Sequence, residues 1–295
     1  MKKVLITGAN SGIGFHTAKK LAEEGNRITM LCRNREKAEQ AKKQIMDQTG
    51  SRDIDILIGD LSLQRNIHKI AKEFKSLNEK LDLLINNAGI IAGERQTTPE
   101  GHEKTLAVNH LAPFLLTHLM LDLLKNADGA RIVNVASEAH KGGTFDPDNI
   151  QLTDGYNGLK AYANTKLYNI MFTRELADRV KGTGITTYAL HPGTVRTNLD
   201  SGGGGGSLFT FLFKIAKPFM MSPKKGARTS VYLATEPGIE SLSGKYFVNK
   251  KVAKPLDIAH EKEKCRQLWE LSESLTIKRP GSEGFENSPG VQRQN

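Results

Sequence analysis

The sequence predicts a doubly wound α/β fold: one domain, with a parallel sheet between helices on both faces. Three observations predict it. Short runs that are apolar at consecutive positions, such as 4–6 and 83–85, alternate with longer segments whose apolar residues recur at helical spacing. Runs apolar on both faces suit strands buried between two helical layers. Strands that alternate with helices make right-handed βαβ units and hence a parallel sheet. A chain of 295 residues can bury a sizeable core in this way.

Each element follows from its local pattern. A strand is expected over 4–7, then a helix over 14–24 with Phe15, Ala18, Leu21 and Ala22 on one face. A second strand over 27–32 leads into a polar-faced helix over 35–48. A third strand over 54–58 precedes a helix over 63–77, and a fourth over 81–85 precedes a long helix over 105–124. The fifth strand covers 131–135, a helix covers 161–180 and the sixth strand covers 186–190. A helix over 224–234 and a short strand over 245–248 complete the pattern, and the domain runs over 1–275. Two segments depart from it. Residues 201–207 include five consecutive glycines and read as flexible, followed by the apolar LFTFLFKIAKPFMM at 208–221. Residues 278–295, rich in Gly, Pro, Ser and polar side chains, read as a disordered tail.

Composition narrows the function classes. The net charge of +10 suits an anionic ligand, a membrane surface or nucleic acid. No basic tract interleaved with aromatics accompanies it, so nucleic-acid binding is not expected. Two cysteines, Cys32 and Cys265, make neither a disulfide framework nor a metal site and point to a reducing, cytoplasmic compartment. No run of 18 apolar residues occurs and the apolar run after Lys2-Lys3 is short, so neither a membrane span nor a signal peptide is expected.

Doubly wound sheets bind ligands beyond the carboxyl ends of their strands, and the chemistry-bearing motifs fall there. Thr7-Gly8-Ala9-Asn10-Ser11-Gly12-Ile13-Gly14 joins the first strand to the first helix. Glycine is needed where backbone turns sharply or meets a ligand closely. The helix N-terminus offers N–H groups and a positive dipole end to a pyrophosphate. The competing reading is a tight turn without a ligand. After the second strand stands Leu31-Cys32-Arg33-Asn34-Arg35. An acid there would bind a ribose 2′-hydroxyl, whereas guanidinium suits a 2′-phosphate. NADP(H) is therefore expected ahead of NAD(H), the alternative being a solvated arginine at a helix start. Asp60 either accepts a bond from an adenine amino group or caps the next helix. Asn86-Asn87-Ala88-Gly89 either lies against a ribose or forms a plain turn.

Tyr162 and Lys166 stand four residues apart and share a helical face. A phenol titrates near about 10, too high for a base at neutral pH, and a neighbouring ammonium lowers that value. Tyr162 would take a proton from an alcohol, or give one to a carbonyl, as hydride moves. Taken alone, the pair also reads as an exposed helix pair. Tyr168 has no lysine four residues on. Ser137 after the fifth strand either orients a substrate oxygen or caps a helix. Asn109, mid-helix, either disturbs the helix and holds a relay water or is a satisfied buried amide. His110, His118, His140 and His191 lack metal-ligand spacing and read as structural. His191-Pro192-Gly193-Thr194 is expected to turn toward a nicotinamide.

Together TGANSGIG at 7–14, NNAG at 86–89, Asn109, Ser137, YANTK at 162–166 and HPGTV at 191–195 resemble the short-chain dehydrogenases/reductases in order and spacing. The resemblance implies a Rossmann fold, a homo-oligomer and an Asn-Ser-Tyr-Lys tetrad. It makes Tyr162 the acid/base, has Lys166 lower its pKa and bind ribose, has Ser137 position the substrate oxygen and has Asn109 hold a relay water. Gly8, Ser11, Gly12, Ile13 and Gly14 would hold the pyrophosphate, and Arg33 the 2′-phosphate. Asp60 and Leu61 would flank adenine. Asn87, Ala88 and Gly89 would line the ribose, and Pro192, Gly193 and Val195 the nicotinamide. LCRNREKAE, the long Ser137–Tyr162 interval and LSGKYF are similar to the branch of retinol dehydrogenases and WW-domain oxidoreductases. That branch implies an apolar aldehyde, ketone or retinoid-like substrate, but no membrane anchor or WW module is read in this chain. Residues 201–221 would form the substrate lid, with peripheral membrane contact or core packing as alternatives. A cofactor-binding regulatory protein without turnover is the competing class, and a sugar-nucleotide epimerase is disfavoured by the small C-terminal part.

Overall fold

The chain enters the sheet at its centre. In the computed structural model, which describes residues 1–193 and 222–277, β1 (Lys3–Thr7) pairs in parallel with β2 (Arg27–Cys32) and with β4 (Leu83–Asn86). β3 (Ile54–Ile58) lies outside β2, and β5 (Arg131–Val135), β6 (Thr186–His191), β7 (Tyr246–Val248) and β8 (Lys251–Val252) follow beyond β4. The order is β3-β2-β1-β4-β5-β6-β7-β8, parallel except for the final pair. That pair can be antiparallel because only Asn249 and Lys250, both at positive φ, connect it. The order reverses between β1 and β4, which opens a crevice at their carboxyl ends.

α1 (Gly12–Glu23), α2 (Arg35–Thr49) and α6 (Pro223–Thr235) cover one face. α3 (Gln64–Leu77), α4 (Lys104–Lys125), α5 (Gly158–Arg179) and α7 (Lys262–Thr276) cover the other. Strand side chains alternate between them. Val4, Ile6, Ile28, Met30, Leu83, Ile85 and Val133 enter the first layer, and Leu5, Leu31, Leu84 and Ile132 the second. Both strand faces are therefore buried, which is why the runs are continuously apolar. Each fully buried aliphatic side chain contributes about 1.5–3 kcal/mol over its exposed state.

Boundaries shift where a cap acts. α5 starts at Gly158, ahead of the expected 161, because the Asn157 side chain accepts from the N–H groups of Leu159 and Lys160. α7 carries a charged outer face, but Cys265, Leu268 and Trp269 are buried and the Trp269 ring stacks on Phe172 at 5.8 Å. α4, with 22 residues and a mean hydropathy of 1.3, is the one described helix long and apolar enough to cross a membrane. Its apolar 18-residue stretch is 78% buried within the protein, as in a core helix. The expected lid over 201–221, Val195 and the tail over 278–295 lie outside the described residues.

Within α4 a π turn spans Ala107–Leu111. His110 in this turn is fully buried, with Nε2 2.8 Å from Ser272 Oγ and Nδ1 3.4 Å from Asn169 Oδ1. Burial holds its pKa down at about 4, against 6.5 when solvated. The neutral ring is the one the fold accommodates, so its contribution is complete above 6.5 and is lost as pH falls through about 4. Urea unfolding followed from pH 7 to 4 should lose up to about 3 kcal/mol through this group. A His110→Gln variant should show a correspondingly flatter loss, and an equal loss in both would remove His110 as its source.

Candidate active site

A cleft of about 1120 Å³ lies across the carboxyl ends of β1, β2, β4, β5 and β6. Its floor is the turn from β1 into α1. Gly8 and Gly12 adopt positive φ (67° and 57°), which L side chains resist. A Cβ on Gly14 would lie 2.3 Å from the Gly8 carbonyl oxygen, so only hydrogen fits. Ser11 at the α1 N-terminus makes no side-chain cap, unlike Asn34 at α2, so its first-turn N–H groups have no capping side chain at the cleft. The turn is stitched from β4. Thr7 Oγ1 accepts from the N–H groups of Asn87 and Ala88, each at 2.9 Å. Asn87 Nδ2 donates to the carbonyls of Thr7 at 2.8 Å and Gly8 at 3.2 Å. The Asn87 amide thus holds the glycine turn, a use that its position in the sequence does not reveal.

Arg33 reaches the cleft; its neighbour Arg35 does not line it and lies 3.9 Å from Glu39 one turn along α2. The sequence reading weighted both arginines. The structure separates them and adds Lys37, whose position on the first turn of α2 also borders the cleft. Asp60 and Leu61 line it as well. Asp60 does not cap α3. Its Oδ1 accepts from Ser62 N–H at 2.9 Å, closing the turn before the helix. The α3 N-terminus is capped from a distance by Glu100, whose carboxylate accepts from Gln64 and Arg65 N–H at 2.6 and 3.2 Å.

At the end of β5 the cleft is lined by Ser137, Tyr162 and Lys166. Lys166 is 3% exposed and donates from Nζ to the Val135 carbonyl at 3.0 Å, with the Tyr162 ring centroid 5.4 Å away. Desolvation brings its pKa down to about 8, so the ammonium is retained at neutral pH. The phenol is expected below its ordinary value beside this ammonium, but its net shift runs the other way. Burial pushes the Tyr162 phenol up, and the hydrogen bond to Ser137 opposes it. Gly89 closes the space beside them: a Cβ there would lie 3.3 Å from Lys166 Nζ and 3.4 Å from Asn109 Oδ1. Tyr168 donates to the Thr144 carbonyl at 3.2 Å within the core, away from this cleft.

Asn109 sits in the π turn, in accord with a local disturbance of the helix. Its Nδ2 donates to the Ile90 carbonyl at 2.9 Å and to Thr165 Oγ1 at 3.1 Å, and its Oδ1 accepts from Ile90 N–H at 2.8 Å. Both amide hydrogens are engaged, so the amide nitrogen has none left for a relay water. The side chain braces the backbone that follows Gly89. His191, Pro192 and Gly193 also line the cleft; Val195 lies outside the described residues.

A doubly wound sheet with a glycine cradle at its reversal point and a Ser–Tyr–Lys group beside it defines a class, the oxidoreductases built on a dinucleotide-binding fold. The short chain dehydrogenase family model matches residues 2–202. Retinol dehydrogenase 11 of Homo sapiens is 42% identical over 271 residues, 92% of this chain and 84% of its own. Retinol dehydrogenase 14 of Homo sapiens is 40% identical, with 93% and 86% covered. Among solved structures, an uncharacterised protein from Mycobacterium Paratuberculosis superposes with a TM-score of 0.75 at 28% identity, covering 94% and 93% of the two chains. A short chain dehydrogenase from Shigella flexneri, solved with NADP, has a TM-score of 0.66 at 24% identity, covering 83% and 95%, and shares the fold. The chain belongs to the short-chain dehydrogenase family and is an oxidoreductase acting on CH–OH donors.

Proposed function

We propose that the chain transfers a hydride between NADP(H) and an alcohol/carbonyl pair, with an apolar aldehyde, ketone or retinoid-like molecule as substrate. The observation that carries the proposal is the joint presence of Ser137, Tyr162 and Lys166 in the cleft whose other end holds Arg33. β2 and β5 are three strand spacings apart, roughly 14 Å, a span that suits an extended dinucleotide. The glycine cradle fits the same group, since side chains at 8, 12 and 14 would be strained or would clash. In this reading Gly8, Ser11, Gly12, Ile13 and Gly14 hold the pyrophosphate. Arg33 and Lys37 meet the 2′-phosphate, Asp60 and Leu61 flank adenine, and Ala88 and Gly89 lie at the ribose with Asn87 behind them. Pro192, Gly193 and Val195 are the nicotinamide contacts.

When bound, the nicotinamide supplies or accepts the hydride. The protein handles the proton. Tyr162, protonated at neutral pH, gives its proton to a carbonyl oxygen and is left as phenolate; in the reverse direction the phenolate takes the proton from an alcohol. Ser137 aligns that oxygen and stabilises the phenolate by its hydrogen bond. Lys166 keeps a positive charge next to the ring, held in place by the Val135 carbonyl. The names of the relatives support an apolar substrate, and two unpaired, buried cysteines support a reducing, cytoplasmic setting. A homo-oligomer is part of the same reading and is checked by light scattering.

The test is cofactor consumption against aldehydes and ketones from short aliphatic chains to retinal, with NADPH and NADH compared. Turnover with NADPH on apolar carbonyls is expected. An absence of turnover throughout the series would overturn the proposal. Arg33→Asp should lower the NADP/NAD preference by about tenfold or more, the worth of one charge-assisted hydrogen bond. An unchanged preference would assign the 2′-phosphate to other groups.

A further inference from the structure

Two histidines that the chemistry above leaves idle hold one peptide. His140 Nδ1 lies 2.7 Å from the Ser137 carbonyl oxygen, and a carbonyl only accepts, so Nδ1 carries the proton. Leu256 N–H donates to His140 Nε2 at 3.3 Å, so that nitrogen carries none. Glu138 N–H donates to His191 Nδ1 at 3.1 Å, which is therefore also unprotonated. The Ser137 carbonyl and the Glu138 N–H belong to the same planar unit and point in opposite directions. One ring grips each edge. His140 is 0% and His191 8% exposed, and the burial that dominates at both sites pushes their pKa values below the solvated range, with Lys141 on the same side and Glu138 opposing. The Tyr246 ring, 5.0 Å from His140, packs edge-on against it.

We infer that His140 and His191 are positioning residues: neutral imidazoles that clamp the Ser137–Glu138 peptide and thereby fix the direction in which the Ser137 hydroxyl meets Tyr162 and the substrate oxygen. Ser137 itself is extended (φ −160°, ψ 158°), and Ala139 N–H donates to its Oγ at 3.2 Å, so the hydroxyl follows the backbone that carries it. A rotation of the clamped peptide moves the hydroxyl off the reacting oxygen. The inference rests on the role of Ser137 proposed above.

Side-chain geometry provides the experiment. Asparagine places its amide near the Nδ1 position of histidine, and glutamine places it near Nε2. His140→Asn and His191→Asn can keep the grip on the peptide, whereas His140→Gln and His191→Gln cannot. With NADPH and the best carbonyl substrate, the Gln variants should lose kcat by about tenfold to a hundredfold, with KM and NADPH affinity near those of the unmodified protein, and the Asn variants should recover most of it. A merely structural role at His140, tethering Leu256, predicts the reverse order, because Gln alone keeps that bond. Gln variants as active as Asn variants would overturn the inference. Ser137→Ala serves as the control. If it retains full activity, the role of Ser137 fails and the clamp falls with it; if it is inactive while Gln and Asn variants are alike, only the clamp fails.

Discussion

Tyr162→Phe should lower kcat by about 10²–10⁴-fold, the range supplied by a positioned proton donor, while NADPH affinity changes little. The change removes one oxygen at a half-buried site and leaves the ring, so Lys166 keeps its bond to the Val135 carbonyl and the ring stays beside it. Because burial raises the phenol, the donor form is populated across neutral pH. Reduction should therefore keep its proton donor through neutral pH and decline as Lys166, with a pKa of about 8, loses its charge, well before the phenol itself titrates. Fluorescence titration with NADPH and steady-state kinetics on the same preparations separate the effects. Loss of binding together with turnover would remove Tyr162 from the chemical step.

The second large effect is expected at Gly14. An alanine Cβ would sit 2.3 Å from the Gly8 carbonyl oxygen and 2.5 Å from Asn87 Nδ2. Neither neighbour can yield cheaply: the first is backbone, and the second is tied to Thr7 and Gly8. Gly14→Ala should cost about 1–3 kcal/mol of stability, the usual penalty of overpacking, and should raise the Kd for NADP(H) by at least about tenfold as the cradle opens. Gly25→Ala is the comparison. Gly25 has open space around it and only its positive φ (75°) to lose, so cofactor affinity should survive there. Equal damage to affinity at both positions would show that the cradle does not form the cofactor floor.

The fold was legible because its strands are buried on both faces, and that condition writes itself into consecutive apolar residues such as Val4-Leu5-Ile6. Helix faces were legible for the same reason; Ala18, Leu21 and Ala22 recur at helical spacing and are buried. The residues lining the cleft were legible where local spacing carries the chemistry, as in the glycine turn and the Tyr162–Lys166 pair. What stayed hidden is long-range. The α3 cap comes from Glu100, 36 residues from its first partner Gln64, and His191 reaches Glu138 across 53. Asn109 was placed mid-helix correctly, but its partners Ile90 and Thr165 come from other elements, and only they show that both amide hydrogens are spent. The direction of the Tyr162 shift was misjudged for a physical reason. Sequence spacing reveals the neighbouring ammonium but not the desolvation of the phenol, the largest influence on it.

The central claim is that this chain moves a hydride to a carbonyl carbon while Tyr162 supplies the proton. Single-turnover reaction with NADPH deuterated at nicotinamide C4, on each face in turn, tests it most directly, with mass spectrometry of the product alcohol. Deuterium on the carbinol carbon from one face only, formed about 10²–10⁴-fold more slowly with Tyr162→Phe, is the predicted result. Tight NADPH binding with no deuterium in any product, from either face and any carbonyl offered, would contradict it and leave a nucleotide-binding protein without turnover.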